Sequence, residues 1–139
     1  MLHLKVKSLA GKTNPDDSNE WLPLWMHGMD TAGIIRRLYQ NWIPESVRYA
    51  IGLDEELAAN TLSFLGLVHD LGKATALFQR NILMHLPEAR ERLKNYLILP
   101  ETFTQEKSTT HALASEAILI FQRCPRGLAS VAGAHHGKP

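Results

Sequence analysis

From His27 onward the apolar residues recur three and four positions apart, as they do on one face of an α-helix. The stripe consists of Ala32, Ile35, Leu38, Tyr39 and Trp42. Pro44 ends this helix or begins the next, because proline lacks the amide hydrogen that a helix interior needs. We therefore predict a long helix with His27 at its start. A short helix over 46–51 follows and ends at Gly52.

A second long helix is predicted after Asp54, which is a favourable N-cap followed by two glutamates in the first turn. Apolar residues then leave little polar face through Val68, and the helix is expected to stop at Gly72. This pattern predicts a central, buried helix with His69 and Asp70 in its last turn. Polar side chains are stable in such a place only when a partner such as a metal ion satisfies them.

The remaining apolar pattern predicts four more helices, over 75–85, 88–97, 112–124 and 128–136. Thr109 or Thr110 caps the third of these helices, Pro125 stops it, and Gly137 ends the last one. Residues 2–9 alternate apolar and polar side chains, which indicates a short edge strand or an ordered arm. Polar loops are predicted over 11–20 and 100–108. The predicted fold class is all-α, a helical bundle without repeats.

The length of 139 residues is enough for one domain, 1–139, with a hydrophobic core of its own. Lys and Arg number 15 against 14 Asp and Glu, so the net charge is only +1. This balance excludes the broad basic field of a non-specific nucleic-acid coat, and any contact with nucleic acid must be local. Cys124 is the single cysteine, and it is expected to be a small buried hydrophobe.

Neither a signal peptide nor a membrane-spanning run is recognisable in the sequence. A lone cysteine can form no internal disulfide, which is typical of a reducing compartment. The expectation is a cytoplasmic protein without a membrane partner.

Five of the seven histidines and one aspartate follow the order H, HD, H, HH along the chain. They are His27, His69, Asp70, His111, His135 and His136. Imidazole and carboxylate groups together suit divalent ions such as zinc, iron, manganese, nickel or cobalt. Neighbouring residues on a helix point about 100° apart, so an adjacent pair suits a cluster that wraps around a helix end. The order predicts a metal site in which Asp70 is able to bridge two ions.

Three stretches of this pattern resemble the HD superfamily of metal-dependent phosphohydrolases. They are Trp25 to Gly28, the run His69-Asp70-Leu71-Gly72-Lys73 followed by Phe78-Gln79, and Ala134 to Gly137. Within the superfamily, the chain is most similar to the HD nuclease domain of the CRISPR-associated helicase-nuclease of type I systems. The likeness extends from about Leu22 to the end of the chain.

The resemblance implies two ions, drawn from manganese, iron, nickel, cobalt, zinc or magnesium. It assigns His27, His69 and Asp70 to one ion, and the second ion is assigned to Asp70, His111, His135 and His136. It also implies catalytic roles for Asp70, as the bridge, and for Lys73, as a point-charge contact to phosphate. The implied function is cleavage of single-stranded DNA delivered by an ATP-driven helicase, fused or separate. The resemblance further implies that an RNA-guided CRISPR surveillance complex marks the DNA for destruction.

The resembled family continues beyond the HH pair to a further aspartate, which has no counterpart in this sequence. The domain is therefore expected to be incomplete at its carboxyl end, unless water, another ligand or a second chain replaces that residue. Two rival functions stay open at this point. One is an HD phosphohydrolase acting on a small nucleotide, and the other is a catalytically incomplete fragment.

Each histidine also has an explanation that needs no metal. The His69-Asp70 pair could be a structural hydrogen bond, and the HH pair could be a solvated helix end. His27 could pack beside Trp25, and His111 could be an ordinary first-turn residue. The order of all four motifs favours the metal site. His3 and His85 match no motif and are expected to be ordinary surface or half-buried histidines. The aromatic residues are expected in the core or at its rim: Trp21, Trp25, Trp42 and Phe78. Only an aromatic side chain exposed in the groove of the site could stack on a base.

Overall fold

The computed structural model describes residues 3–14, 16–17, 20–87, 90–91, 94 and 109–137. In chain order its elements are α1 (Leu4–Lys7), β1 (Ala10–Thr13), β2 (Trp21–Pro23), α2 (Leu24–Asn41), α3 (Glu45–Ile51), α4 (Glu55–Val68), a 3-10 helix (Leu71–Ala74), α5 (Ala76–Met84), α6 (His111–Phe121) and α7 (Arg126–Gly133). Helices dominate, which confirms the all-α prediction. The helix predicted over 88–97 and the loop predicted over 100–108 lie largely outside the described residues. Among the described helices, none is both long and apolar enough to cross a bilayer.

The amino-terminal segment differs from the prediction. Residues 2–9, predicted as a short edge strand or an ordered arm, contain the helix α1 instead, and the strand begins later, at β1. β1 pairs antiparallel with β2, with Lys12 opposite Leu22, so the first residues of the predicted 11–20 loop belong to a two-stranded ribbon. Gly11 allows the ribbon to approach α2, because a Cβ there would lie 2.9 Å from the Cα of Leu24. So short an alternation of apolar and polar residues does not distinguish a strand from one helical turn.

Helices α2 and α4 pack against each other through small residues. Tyr39 of α2 is buried against Ala58 and Ala59 of α4. The prediction that α4 is a central, buried helix is correct for one face only, because several of its larger apolar side chains face outward. Their exposed fractions are 54% for Leu57, 38% for Phe64 and 42% for Leu67. Apolar composition alone did not reveal that alanines and a glycine form the packed face.

Helices α4 and α7 end earlier than their apolar patterns predicted, and both differences affect the candidate site. α4 ends at Val68, so His69 and Asp70 follow the helix instead of occupying its last turn. α7 ends at Gly133, which leaves His135 and His136 in a turn beyond it. Gly137 has the left-handed conformation expected after a helix, with φ of 75°, but it closes this turn instead. Local periodicity locates a helix end only to within a few residues. Of the site residues beyond these two ends, Asp70 is buried, His69 and His135 are half-buried and His136 is exposed.

The core beneath these two turns joins α6 and α7 to the end of α4. Leu119, Ala129 and Ala132 are buried together, and Val68, Leu71 and the half-buried Cys124 pack against them. The predicted role of Cys124 as a small apolar residue agrees with this position. Because the cluster includes the residues just before and just after His69-Asp70, it fixes the HD turn against α6 and α7.

Gln79 of α5 connects the β-ribbon to the segment after the HD turn. Its side chain is 1% exposed, and its Oε1 accepts a hydrogen bond of 2.8 Å from the Ala10 amide. Its Nε2 donates to the Ala10 carbonyl at 2.8 Å and to the Lys73 carbonyl at 2.7 Å. A buried amide with every contact satisfied holds two distant parts of the chain in one arrangement.

Replacing Gln79 with alanine is expected to lower the free energy of unfolding by about 3 kcal/mol, because it leaves a cavity and unpaired backbone groups at Ala10. Urea denaturation measures this change. The exposed Gln40 of α2 provides the matched control, and Gln40→Ala is expected to change stability by less than about 0.5 kcal/mol. Equal effects of the two substitutions would contradict the proposed role of Gln79.

Candidate metal centre

All six residues of the histidine and aspartate pattern form one cluster around the carboxylate of Asp70. His27 comes from the beginning of α2, and the HD pair comes from the turn after α4. His111 is the first residue of α6, which Thr110 caps by accepting a hydrogen bond from the Leu113 amide. The HH pair comes from the turn after α7. Four separate segments of the chain therefore supply one cluster.

The two oxygens of Asp70 face different histidines. Oδ2 lies 3.0 Å from Nε2 of His27 and 3.3 Å from Nε2 of His69. Oδ1 lies 3.2 Å from Nε2 of His111 and 3.3 Å from Nε2 of His135. His136 joins the second set, with its Nε2 2.9 Å from Nε2 of His111. We call His27, His69 and Asp70 the first ligand group, and His111, His135 and His136 the second.

Backbone carbonyls orient one histidine in each ligand group. The Nδ1 of His69 lies 2.7 Å from the carbonyl oxygen of Gly66, and the Nδ1 of His135 lies 2.7 Å from that of Ala132. A carbonyl oxygen only accepts, so each Nδ1 must carry the proton and donate. In a neutral ring this leaves the Nε2 lone pair directed at Asp70. The Nε2 of His135 is buried and has no hydrogen-bond partner.

This donor set fits divalent cations. An Nε2 lone pair of a neutral histidine and a carboxylate oxygen are both acceptors, so at 3.3 Å they repel each other unless a cation or a proton lies between them. Imidazole and carboxylate ligands bind a metal ion at about 2.0 to 2.2 Å, which places two ligands of one ion about 3 Å apart. In each ligand group the donor atoms lie within 4.8 Å of one another. Both groups could therefore hold a metal ion.

Comparison with known proteins agrees with this geometry. Residues 11–139 match the model of the family described as Cas3, HD domain. The chain belongs to this family. A similar protein from Streptococcus thermophilus, named CRISPR-associated nuclease/helicase Cas3, is 29% identical over 154 aligned residues that cover 100% of this chain. The chain spans 17% of that relative's length. No solved structure gives a significant match.

Ser115 and Gly72 were not predicted as site residues, yet they join the first and second ligand groups, which we together call the Cas3 HD cluster. The Ser115 hydroxyl is fully buried, accepts a hydrogen bond of 2.8 Å from the Gly72 amide, and has the His69 and His111 carbonyls within 2.9 Å. Its single proton can be donated to either carbonyl. One signal was present in the sequence: Ser115 is a lone small polar residue in an apolar helix, one turn after His111.

Lys73 neutralises Asp70 within the Cas3 HD cluster. Its Nζ lies 2.6 Å from Oδ2 of Asp70, and its side chain is only 12% exposed. Burial raises the pKa of Asp70, but the hydrogen bonds from His69 and Lys73 outweigh it and hold the pKa far below its usual range. Asp70 is therefore an anion whenever the protein is folded near neutral pH. The Lys73 ammonium also lies 5.7 Å from the centre of the Phe78 ring.

The histidines of the cluster do not protonate alike. The hydrogen bond to Asp70 raises the pKa of His69 above its ordinary value. Burial lowers the pKa of His27 and of His111, and for His27 the nearby charge of Lys12 acts in the same direction. In the metal-free protein, the proton that separates His69 from Asp70 is therefore held to a higher pH than on an ordinary histidine.

Manganese binding is expected to weaken as the pH falls from about 8 to about 6. A metal ion needs the neutral imidazole, so a proton on His69 competes with it, and affinity decreases by about tenfold per pH unit below the pKa of that group. The lowered pKa values of His27 and His111 keep those rings available over the same range. Isothermal titration calorimetry at several pH values measures the effect, and a pH-independent affinity would refute it.

Residues predicted to lie outside the site do so. The Nδ1 of His3 accepts a hydrogen bond from the Lys5 amide at the start of α1, and His85 is exposed at the end of α5. Trp42 is 80% exposed, so its expected place in the core or at its rim is wrong.

Proposed function

We propose that this chain is a metal-dependent nuclease domain that hydrolyses phosphodiester bonds in single-stranded DNA. The observation that carries the proposal is the convergence of four imidazoles on the two oxygens of Asp70, with the fifth, His136, against His111, in a chain that belongs to the Cas3 HD family. The relative's name joins a nuclease to a helicase and to CRISPR systems. An ATP-driven helicase and an RNA-guided surveillance complex are accordingly the proposed partners.

In this proposal His27, His69 and Asp70 hold one divalent ion, and the second ligand group with Oδ1 of Asp70 holds another. When bound, such ions lower the pKa of water and neutralise the charge that develops on phosphate oxygens. The carbonyls of Gly66 and Ala132 keep His69 and His135 in the tautomer that presents Nε2. Burial of the Asp70 carboxylate, 5% exposed, fixes its position between the two groups.

The reaction adds water across the phosphodiester bond. The water oxygen bonds to phosphorus, the bond from phosphorus to the leaving oxygen breaks, and the water proton is transferred to solvent while the leaving oxygen gains one. Lys73 lies beside the carboxylate, with its Nζ 2.6 Å from Oδ2 of Asp70, and we assign it a supporting contact to the phosphate. The chain therefore needs no serine or cysteine nucleophile.

The net charge of the chain bears on how tightly it binds DNA. A net charge of +1 gives the domain little general attraction to DNA, so affinity must come from local contacts and from the helicase that feeds the strand. We expect the isolated chain to bind DNA weakly and to cleave it without strong sequence preference.

The test compares hydrolysis of single-stranded DNA, duplex DNA and nucleoside triphosphates by the purified chain with manganese, and with a chelator as the control. Cleavage of single-stranded DNA that depends on metal is the expected result. Efficient nucleotide hydrolysis with inert DNA would replace the proposal with a nucleotide phosphohydrolase. Fewer than one ion per chain at saturating manganese, together with no hydrolysis of any substrate, would indicate an incomplete site.

A further inference from the structure

A pocket of about 430 Å³ lies directly beside the second ligand group. His111 and His136 belong to both the pocket and the ligand group. Phe78 and Asn81 of α5 and the threonine Thr110 before α6 line the pocket as well. Anything bound in it is therefore adjacent to whatever the ligand group holds.

The lining of the pocket indicates the chemistry of its occupant. The volume is within the range of about 300 to 1,000 Å³ that is usual for small-molecule sites. Among the described residues that line the pocket there is no lysine, arginine, aspartate or glutamate, which favours an uncharged occupant. The Lys73 ammonium lies outside this lining, 5.7 Å from the centre of the Phe78 ring. The Phe78 ring offers an aromatic surface 5.6 Å from the His111 ring, centre to centre. The exposed Asn81 amide supplies both a donor and an acceptor.

We propose that this pocket binds the nucleobase next to the phosphate that is cleaved, stacked on Phe78 and hydrogen-bonded by Asn81. The inference rests on the proposed function and adds a base subsite to it. A nucleobase is flat, uncharged and edged with donors and acceptors, and only a sugar separates it from its own phosphate. Stacking on an aromatic side chain accepts any base, which suits cleavage without sequence preference.

The subsite has a consequence for strand selection. A base can enter a pocket between α5 and α6 only after it has left its Watson–Crick partner and its neighbours in the stack. For duplex DNA, the free-energy cost of unpairing must therefore be met before a base reaches the pocket beside the ligand groups. Single-stranded DNA is already free to insert a base, so the pocket favours the unpaired substrate.

The experiment compares Phe78→Ala with the unmodified protein on two oligomers of equal length, oligothymidylate and an abasic oligomer with the same phosphate backbone. Phe78→Ala is expected to raise the KM for oligothymidylate by about tenfold and to leave the KM for the abasic oligomer unchanged. Phe78→Tyr keeps the aromatic ring and should restore most of the difference. Phe121→Ala is the matched control, because Phe121 is 83% exposed at the opposite end of α6.

Equilibrium binding of both oligomers with calcium, without turnover, is measured alongside the kinetics. A loss of oligothymidylate affinity in Phe78→Ala supports the base subsite, whether or not the oligomers are cleaved. Absence of cleavage of both oligomers would overturn the proposed nuclease function and not the subsite. Equal changes for both oligomers would overturn the subsite, and so would no change in oligothymidylate binding. Manganese content is determined for each variant, because Phe78 contacts His111. If a loss of manganese accounts for the whole change in oligothymidylate binding and KM, that result also counts against the subsite.

Discussion

Asp70→Ala is expected to reduce single-stranded DNA cleavage by about a thousandfold or more, because one carboxylate serves both ligand groups. Its loss removes Oδ2 from His27 and His69 and Oδ1 from His111 and His135. The loss of a single preorganised contact to a developing charge typically lowers kcat by a hundredfold to a thousandfold, and this substitution removes a ligand from both groups together. The side chain is small, so we expect the helical circular dichroism spectrum to be retained.

The matched control for this substitution is Glu56→Ala. Glu56 is also a carboxylate in an ion pair, with Arg36, but it lies on the exposed face of α4. Cleavage of a labelled oligonucleotide and manganese content are measured for both variants. Asp70→Ala protein that remains active, or that binds as much manganese as the unmodified protein, would show that the proposed bridge is wrong.

Gly72→Ala is expected to destabilise the protein by about 3 kcal/mol or more and to separate the two ligand groups. A Cβ at Gly72 would lie 1.9 Å from the His111 carbonyl oxygen and 2.7 Å from the Ser115 amide nitrogen. Both obstacles are backbone atoms of α6, which cannot rotate away as a side chain can, so the HD turn and α6 must move apart. The movement shifts His111 away from Asp70, and manganese binding at the second ligand group should decrease with stability.

Gly33→Ala is the control for Gly72→Ala. Gly33 is exposed in the middle of α2, and a Cβ there would meet nothing within 4 Å. This substitution is expected to stabilise the helix by about 0.5 to 1 kcal/mol, because alanine restricts the unfolded chain more than glycine does. Thermal unfolding separates the two outcomes by roughly 10 °C or more. Similar melting temperatures for the two variants would contradict the role of the close approach at Gly72.

The candidate ligand set was predictable from the sequence because residue type and order select these residues without knowledge of distances. His69 and Asp70 are adjacent polar residues in an apolar region, and the HH pair follows another apolar helix. The helices were predictable for a related reason, since Asp54, Pro125 and the apolar periods mark their positions. Family membership then followed from the motifs and not from composition.

Other features depend on contacts between distant parts of the chain, which no local pattern contains. The division of the Asp70 oxygens between two sets of histidines requires four segments to be placed at once. The contact of Gly72 with α6 and the buried bonds of Gln79 to Ala10 are of the same kind. Side-chain size explains why the buried face of α4 was predicted incorrectly. The two helices pack closely through the small residues of α4, and Leu57 and Phe64 remain exposed.

The donors that meet at Asp70 come from positions spread between residues 27 and 136, so an unfolded chain cannot bring them together. On the proposed role, each ion binds the native form and adds about 4 kcal/mol to its stability when the ion concentration is a thousand times the dissociation constant. A molecule that has lost its ions is then both inactive and more often open to proteases. The concentration of the divalent ion thereby governs the lifetime of the protein as well as its activity. An inactive, ion-free domain is degraded sooner than an active one.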